Sequence, residues 1–218
     1  MAGRVVIFFL IFILLSCREG QKEAQAVHGR PIVLKDIPIT FDGKPFTGWE
    51  VTNFGPQGPV YISGNDIILG MGDGCTGITW KGNFPSIDYE VALEARRIEG
   101  NDFFCGMTFP VGKDPCTLIV GGWGGTTVGL SSIDGLDASH NSTRTLMQFD
   151  KNRWYHIRLA VTPVKIAAWI DTVQVVNFTM GNRKLSVRPE VELSKPFGIA
   201  SWNTTAALRN ISVSSYGK

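Results

Sequence analysis

Apolar side chains recur at every second position along most of this chain, and nowhere does a 3.6-residue apolar period last three turns. In Ile87–Arg97 the residues Ile87, Tyr89, Val91, Leu93 and Ala95 share one face, with Asp88, Glu90, Ala92, Glu94 and Arg96 on the other. Such alternation marks a strand with one face in a core and one toward water. Trp154–Val161 repeats it. Lys165–Asp171 follows after the turn Thr162-Pro163-Val164, and Asp171-Thr172 leads into Val173–Phe178. Further strands are predicted at Val60–Ile62, Asp66–Met71, Gly77–Trp80, Asp102–Phe109, Thr117–Gly121, Thr127–Ser131, Thr145–Phe149, Lys184–Val187, Phe197–Ser201 and Leu208–Tyr216. Gly, Pro, Asn and Asp punctuate them. Many short strands at regular spacing predict one all-β domain, an antiparallel β-sandwich or jelly roll. The longest irregular stretch, Gly121–Ser142, is a place to look for function.

The N-terminus reads as an export signal. Arg4 is followed by the apolar run Val5–Leu15, shorter than the about 20 residues of a membrane span. Leu14-Leu15-Ser16-Cys17 resembles a bacterial lipobox. The resemblance implies cleavage after residue 16, lipidation of Cys17, and a membrane-anchored protein of the cell envelope. Residues 17–35 read as a polar tether, and 36–218 as the folded domain.

Charge excludes little except nucleic acid. The net charge is +2, loss of Arg4 with the leader makes it +1, and no basic stripe exists. Of the four cysteines, Cys75, Cys105 and Cys116 remain if Cys17 is lipidated, so at most one disulfide can form. Cys105–Cys116 is the nearest pair. Three small buried hydrophobes is the other reading. No zinc spacing, G-x-S-x-G elbow, P-loop or H-E-x-x-H motif is present.

Five segments, in order, resemble the bacterial 3-keto-disaccharide hydrolase family. They are Phe41-Asp42-Gly43-Lys44-Pro45-Phe46-Thr47-Gly48-Trp49, then Asp88–Arg96 with Gly100-Asn101 after it, then Arg153–Arg158, then Ile166–Asp171, and last Leu208-Arg209-Asn210-Ile211-Ser212-Val213. The resemblance spans roughly residues 38–216 and implies a concanavalin- or laminin-G-like jelly roll acting on 3-keto-glycosides. The block from Leu118 to Asp137 departs from the family's usual strand and marks a divergent subgroup.

Candidate site residues follow from both readings. Glu94 and Arg96 share a strand face, so Glu94 is a candidate general base or hydroxyl acceptor with Arg96 holding its charge. A solvated ion pair is the plainer account. His156 is a candidate proton shuttle or a structural histidine. Trp123, between glycine pairs, is a candidate sugar platform or a loop tryptophan capping the core. Asp134, Asp137 and His140 could bind a divalent cation such as calcium, contact a sugar, or serve turn geometry. Trp202 and the segment Arg188–Glu192, read as an edge strand or loop, are expected along a groove. These residues frame an enzyme reading: a carboxylate or imidazole removes the C2 proton beside a 3-keto group, and the C1 aglycone leaves. A non-catalytic carbohydrate-binding module and an envelope structural protein are the alternatives.

Overall fold

A computed structural model describes residues 31–33 and 48–216 of the chain. The expected leader (1–16), Cys17 with its expected lipid, the expected tether apart from residues 31–33, and the stretch Phe41–Thr47 lie outside the described residues.

The chain forms β1 (Pro31–Val33), β2 (Trp49–Val51), β3 (Val60–Ser63), β4 (Asp66–Leu69) and β5 (Cys75–Trp80). Next come β6 (Tyr89–Gly100), β7 (Cys105–Val111), β8 (Asp114–Gly122), β9 (Thr127–Ser131) and β10 (Thr145–Leu146). β11 (Tyr155–Val161), β12 (Lys165–Ile170), β13 (Val173–Thr179), β14 (Gly198–Trp202) and β15 (Thr204–Tyr216) complete it, with a 3-10 helix at Pro189–Ser194. All described pairings are antiparallel and make two sheets. One runs β13-β12-β11-β6-β15-β4-β3, with β1 also on β15; the other runs β10-β9-β8-β7-β14-β5-β2. This is the expected antiparallel sandwich.

The core lies between the sheets, where the alternation puts it. Tyr89, Val91, Leu93 and Ala95 of β6 face Met107, Phe109, Leu118, Val120, Val128 and Leu130 of the other sheet. Burying each large apolar side chain stabilises the fold by about 1.5–3 kcal/mol. Phe104, Phe149 and Tyr155 pack edge to face or tilted at 5.0–6.0 Å between ring centroids. The tyrosine hydroxyls stay satisfied at the core margin: Tyr89 donates to Pro110 O (2.6 Å) and Tyr155 accepts from Asp150 N (2.7 Å). Among the described residues, no helix is long and apolar enough to cross a membrane.

Four local expectations are corrected. Lys184–Val187 is not a full strand; it makes one isolated antiparallel bridge, Leu185 opposite Ile133. Asp134 Oδ1 accepts from Lys184 N, and Ser186 exchanges two backbone hydrogen bonds with Ser132. Arg188–Glu192 is no edge strand; Pro189 opens the 3-10 helix instead. Of Thr145–Phe149 only Thr145 and Leu146 pair, and Phe149 turns into the core. Pro31–Val33, inside the stretch read as tether, pairs with Ser214–Tyr216. Cys105 and Cys116 do not form a disulfide: Cys105 stands opposite Val120, and Cys116 opposite Phe109. Cys75, Cys105 and Cys116 are free and buried, and burial pushes each thiol up to about 12.

Thiolate chemistry is therefore suppressed in the native state. Iodoacetamide at neutral pH is expected to leave these three cysteines unmodified until the protein is denatured, without any reductant. A peptide map showing Cys105 linked to Cys116 would contradict the assignment.

Candidate functional site

The core-facing residues of one sheet leave their neighbours on its outer surface. On β8, Cys116, Leu118 and Val120 point into the core, so Thr117 and Ile119 point out. On β9, Val128 and Leu130 point in and Ser131 out; on β14, Ile199 points in and Trp202 out. The outer surface is partly roofed. Val187 and Val191, at the 3-10 helix, pack with Phe54, Cys75, Phe103, Ala200 and Trp202 in a second, small apolar cluster. Beside that roof opens a cleft of about 250 Å³, a little below the roughly 300–1,000 Å³ usual for ligand pockets. Its walls are Phe103, Trp123 and Trp202, its floor Thr117, Ile119 and Ser131, and its polar rim Asp102, Arg188 and Glu190.

Trp123 reaches the cleft from a tight turn between β8 and β9. Its φ is +48°, and Gly124 and Gly125 follow at +82° and +99°. That run of left-handed backbone needs glycine around the indole. Trp123 stays 40% exposed. Across the cleft, the Phe103 and Trp202 rings lie 6.4 Å apart at 34°.

The charges at the rim are organised. Arg188 Nε and Nη2 donate to the two Glu190 oxygens (3.2 and 2.7 Å), and Nη1 donates to Asp137 Oδ2 (3.1 Å). The Arg188 fork beside Glu190 holds that carboxyl below its usual range. A guanidinium has five N–H donors, so two of Arg188 remain for a ligand. Asp102 Oδ1 accepts from its neighbour's amide, Phe103 N (2.7 Å), and Oδ2 lies 3.5 Å from Gly124 N.

The Asp134–His140 loop stands behind this rim. Burial pushes the Asp137 carboxyl up, but hydrogen bonds from Ser139 and His140 outweigh it, and the net direction is down. Asp134 is exposed, bonded to Lys184 N and Arg183, and its carboxyl is also lowered, first by the Lys184 amide. His140 is exposed, with Nδ1 3.0 Å from Asp137 Oδ1. The two carboxylates are thus taken by different arginines. They do not fit a shared calcium ion, and among the described residues no group of three or more His, Cys, Asp or Glu is placed to hold a metal.

Glu94, Arg96 and His156 lie on the other side of the molecule. β6 turns Leu93 and Ala95 into the core, so Glu94 and Arg96 stand on the outer face of the opposite sheet, with His156 directly across from Glu94. The core separates them from the cleft. Nor does Arg96 hold the Glu94 charge. Glu94 accepts from Arg209 Nε (2.7 Å) and Asn210 Nδ2 (2.6 Å), whereas Arg96 reaches Asp66 (3.3 Å). Arg209 and Arg96 both cover the Trp154 ring, at 4.0 and 4.5 Å. The Arg209 hydrogen bond is the main cause that lowers the Glu94 carboxyl.

Of the expected groove residues, Trp123 and Trp202 meet at the cleft, joined by Arg188 and Glu190. Asp137 touches it through Arg188. Asp102 and Phe103 were missed, because Asp102–Phe109 reads from the sequence only as a strand. Arg97 was also missed, although its signal is in the sequence: it continues the core-facing parity of Tyr89, Val91, Leu93 and Ala95.

Residues 38–214 match the 3-keto-alpha-glucoside-1,2-lyase-like domain. The chain belongs to that family. No curated protein matches it in sequence. Among solved structures it is similar to the carbohydrate-binding module CBM66 from Bacillus subtilis, at TM-score 0.51 and 18% identity, over 77% of this chain and 96% of that one. It also resembles the apo Crh5 transglycosylase (TM-score 0.52, 13% identity, 80% of each chain). A third likeness is to domain 4 of AbnA, a GH43 extracellular arabinanase from Geobacillus stearothermophilus in complex with arabinotriose (TM-score 0.52, 15% identity, 77% of this chain and 82% of that one). At these identities the likeness is one of fold. Family and fold together place the chain among carbohydrate-processing and carbohydrate-binding domains.

The Glu94 ion pair has a pH consequence. A carboxyl lowered in the folded state adds stability that is present above its unfolded value and lost as pH falls through the folded one. In Arg209→Met the Glu94 carboxyl is expected to titrate at higher pH by carboxyl-carbon NMR. An unmoved titration would remove Arg209 as the cause.

Proposed function

We propose that this family member takes a neutral sugar ring into the cleft between Trp123, Phe103 and Trp202 and cleaves 3-keto-glycosides there. The observation that carries the reading is the aromatic wall set beside a polar rim with spare donors. Indole and phenyl faces suit the C–H faces of a sugar, and a few placed polar groups suit its hydroxyls. The finer reading, cleavage of the 3-keto form, is supported by family membership.

The chemistry needs a base near C2 and a donor for the oxygen on C3. Asp102 is the cleft carboxylate whose Oδ2 is held by no short hydrogen bond. In this reading it takes the C2 proton, and the electron pair moves to the C3 oxygen as an enolate. The free Arg188 N–H groups steady that charge. The enolate then reforms the ketone, a C1–C2 double bond appears, and the C1–O bond breaks toward the aglycone. The proton returns to the departing oxygen, and water adding across C1–C2 completes hydrolysis. Glu94 and His156 are less suited to the base role than the sequence alone suggests, since they stand across the core from the aromatic wall. A binding module without turnover is the second reading, favoured by the pairing of Glu190 with Arg188, which holds one rim carboxylate as a weak base. The domain would work at the cell envelope, tethered by lipid on Cys17.

The test is release of 4-nitrophenol from 4-nitrophenyl 3-keto-α-glucoside by the purified domain. Trp123→Ala and Trp202→Ala are each expected to weaken binding about tenfold, roughly 1.4 kcal/mol. Asp102→Asn should lower kcat by about 100-fold or more, with Glu94→Gln near wild type. Loss of turnover in Glu94→Gln alone would move the site to the opposite sheet. Binding that persists with no release would establish the binding module. Calcium or a chelator is expected to change nothing; a calcium requirement would return Asp134, Asp137 and His140 to a metal role.

The anchor has its own test. Full-length protein expressed in bacteria should incorporate labelled palmitate and partition with membranes, and Cys17→Ala should do neither. Equal labelling of both would sink the anchor.

A further inference from the structure

Arg97 is the one charged side chain that β6 turns into the core, and it is only 4% exposed. Its guanidinium sits at the end of the sandwich, 5.3 Å from the centre of the Phe104 ring. Nη2 donates to Gly125 O at 2.8 Å, whereas Nε finds no partner among the described residues. Burying an arginine on so few contacts costs stability, so packing alone does not account for it.

The surroundings show what the guanidinium fits. A Cβ added to Gly121 would stand 2.8 Å from Nη2, and one on Gly125 would stand 2.9 Å from Nη1 and 2.7 Å from Asn101 Oδ1. The cation therefore fills the space left by two glycines at either end of the turn that carries Trp123. Asp102 approaches the same turn from the cleft side, 3.5 Å from Gly124 N. Opposite charges thus meet backbone groups of two neighbouring residues, Gly124 N–H and Gly125 C=O. Trp123 sits next to them at φ +48°, a backbone state that a non-glycine residue keeps only when its surroundings hold it.

We infer that Arg97 is a positioning residue, which acts from beneath the turn to set the pose of the Trp123 ring at the cleft. The inference rests on the cleft reading for its purpose, though not for its geometry. Arg97 touches no ligand; it acts through Gly125 and the turn.

The test separates positioning from general stability. The protein is labelled with 5-fluorotryptophan, and the Trp123 fluorine line among the six tryptophans is assigned by its loss in Trp123→Phe. Arg97→Met is expected to shift or split that line while the line of core Trp49 stays in place. Arg97→Lys keeps a buried cation but loses the guanidinium fork that reaches Gly125 O, and should do likewise, which keeps the test decisive if Arg97→Met does not fold. Val213→Ala, a core truncation far along β15, should lower Tm and leave the Trp123 line alone. A Trp123 line that stays put in Arg97→Lys and in any folded Arg97→Met overturns the inference, as does a line that moves equally in Val213→Ala. Affinity for 4-nitrophenyl 3-keto-α-glucoside supplies the second readout. Arg97→Met should weaken it about tenfold in the wild-type background and not at all beside Trp123→Ala. Additive losses overturn positioning. If Trp123→Ala itself has no effect, the cleft reading fails, and the fluorine result still judges Arg97.

Discussion

The antiparallel ladder between β6 and β15 is the spine on which the rest of the molecule depends. It runs from Thr204 opposite Gly100 to Ser215 opposite Tyr89 and joins the two longest strands near the middle of one sheet. Because side chains on a strand alternate, this ladder fixes two surfaces at once. Inward it lays down Val91, Leu93, Ala95, Leu208 and Val213. Outward it sets Glu94 beside Arg209, and a break in register between Arg209 and Ser212, with Asn210 at φ +53°, brings the Asn210 amide onto the same carboxylate. At its far end the inward row continues to Arg97, so the ladder also places the cation beneath the Trp123 turn.

Two polar surfaces result, and they are chemically different. On the β6–β11–β15 face three acids each have a base against them: Glu94 with Arg209, Asp66 with Arg96, and Glu90 with Arg158. The tryptophans there are covered by guanidinium groups, Trp154 by Arg209 and Trp169 by Arg158 at 3.7 Å. That surface is closed to a stacking ligand. Around the cleft, by contrast, Trp123 is open, Asp102 keeps an oxygen without a short bond, and Arg188 keeps unused donors. A charged pair on a solvated sheet contributes little, typically about 0.2–1 kcal/mol. Polar groups beside an aromatic wall can contribute far more to a bound ligand.

The fold was legible because periodicity survives at the level of single strands. The sequence bounds of Thr127–Ser131 match β9 to the residue, and the β6 and β11 alternations give the correct faces. The 180s were read only in part for a physical reason: Lys184–Val187 pairs through a single bridge, Leu185 with Ile133, and the Asp134 side chain takes the Lys184 amide, which no strand pattern reports. The site was legible only in part. Trp123 stood out because glycines surround it, and Trp202 because it ends a strand. Glu94 and Arg96 stood out because a strand face carries them, but periodicity says which face a residue is on and not which of two outer surfaces holds a ligand. Arg97 was readable in principle, as a charge at a core-facing position, though the turn it supports is brought to it only by the tertiary fold.

The central claim is that sugar is handled at the Trp123–Trp202 cleft and not on the Glu94 face. Amide chemical-shift mapping of the labelled domain titrated with 4-nitrophenyl 3-keto-α-glucoside tests it most directly. The account predicts shifts gathered at Asp102, Phe103, Gly122–Gly125, Val191 and Trp202, with Glu94, His156 and Arg209 unmoved. Shifts gathered at Glu94, His156 and Arg209, with the cleft silent, would contradict it.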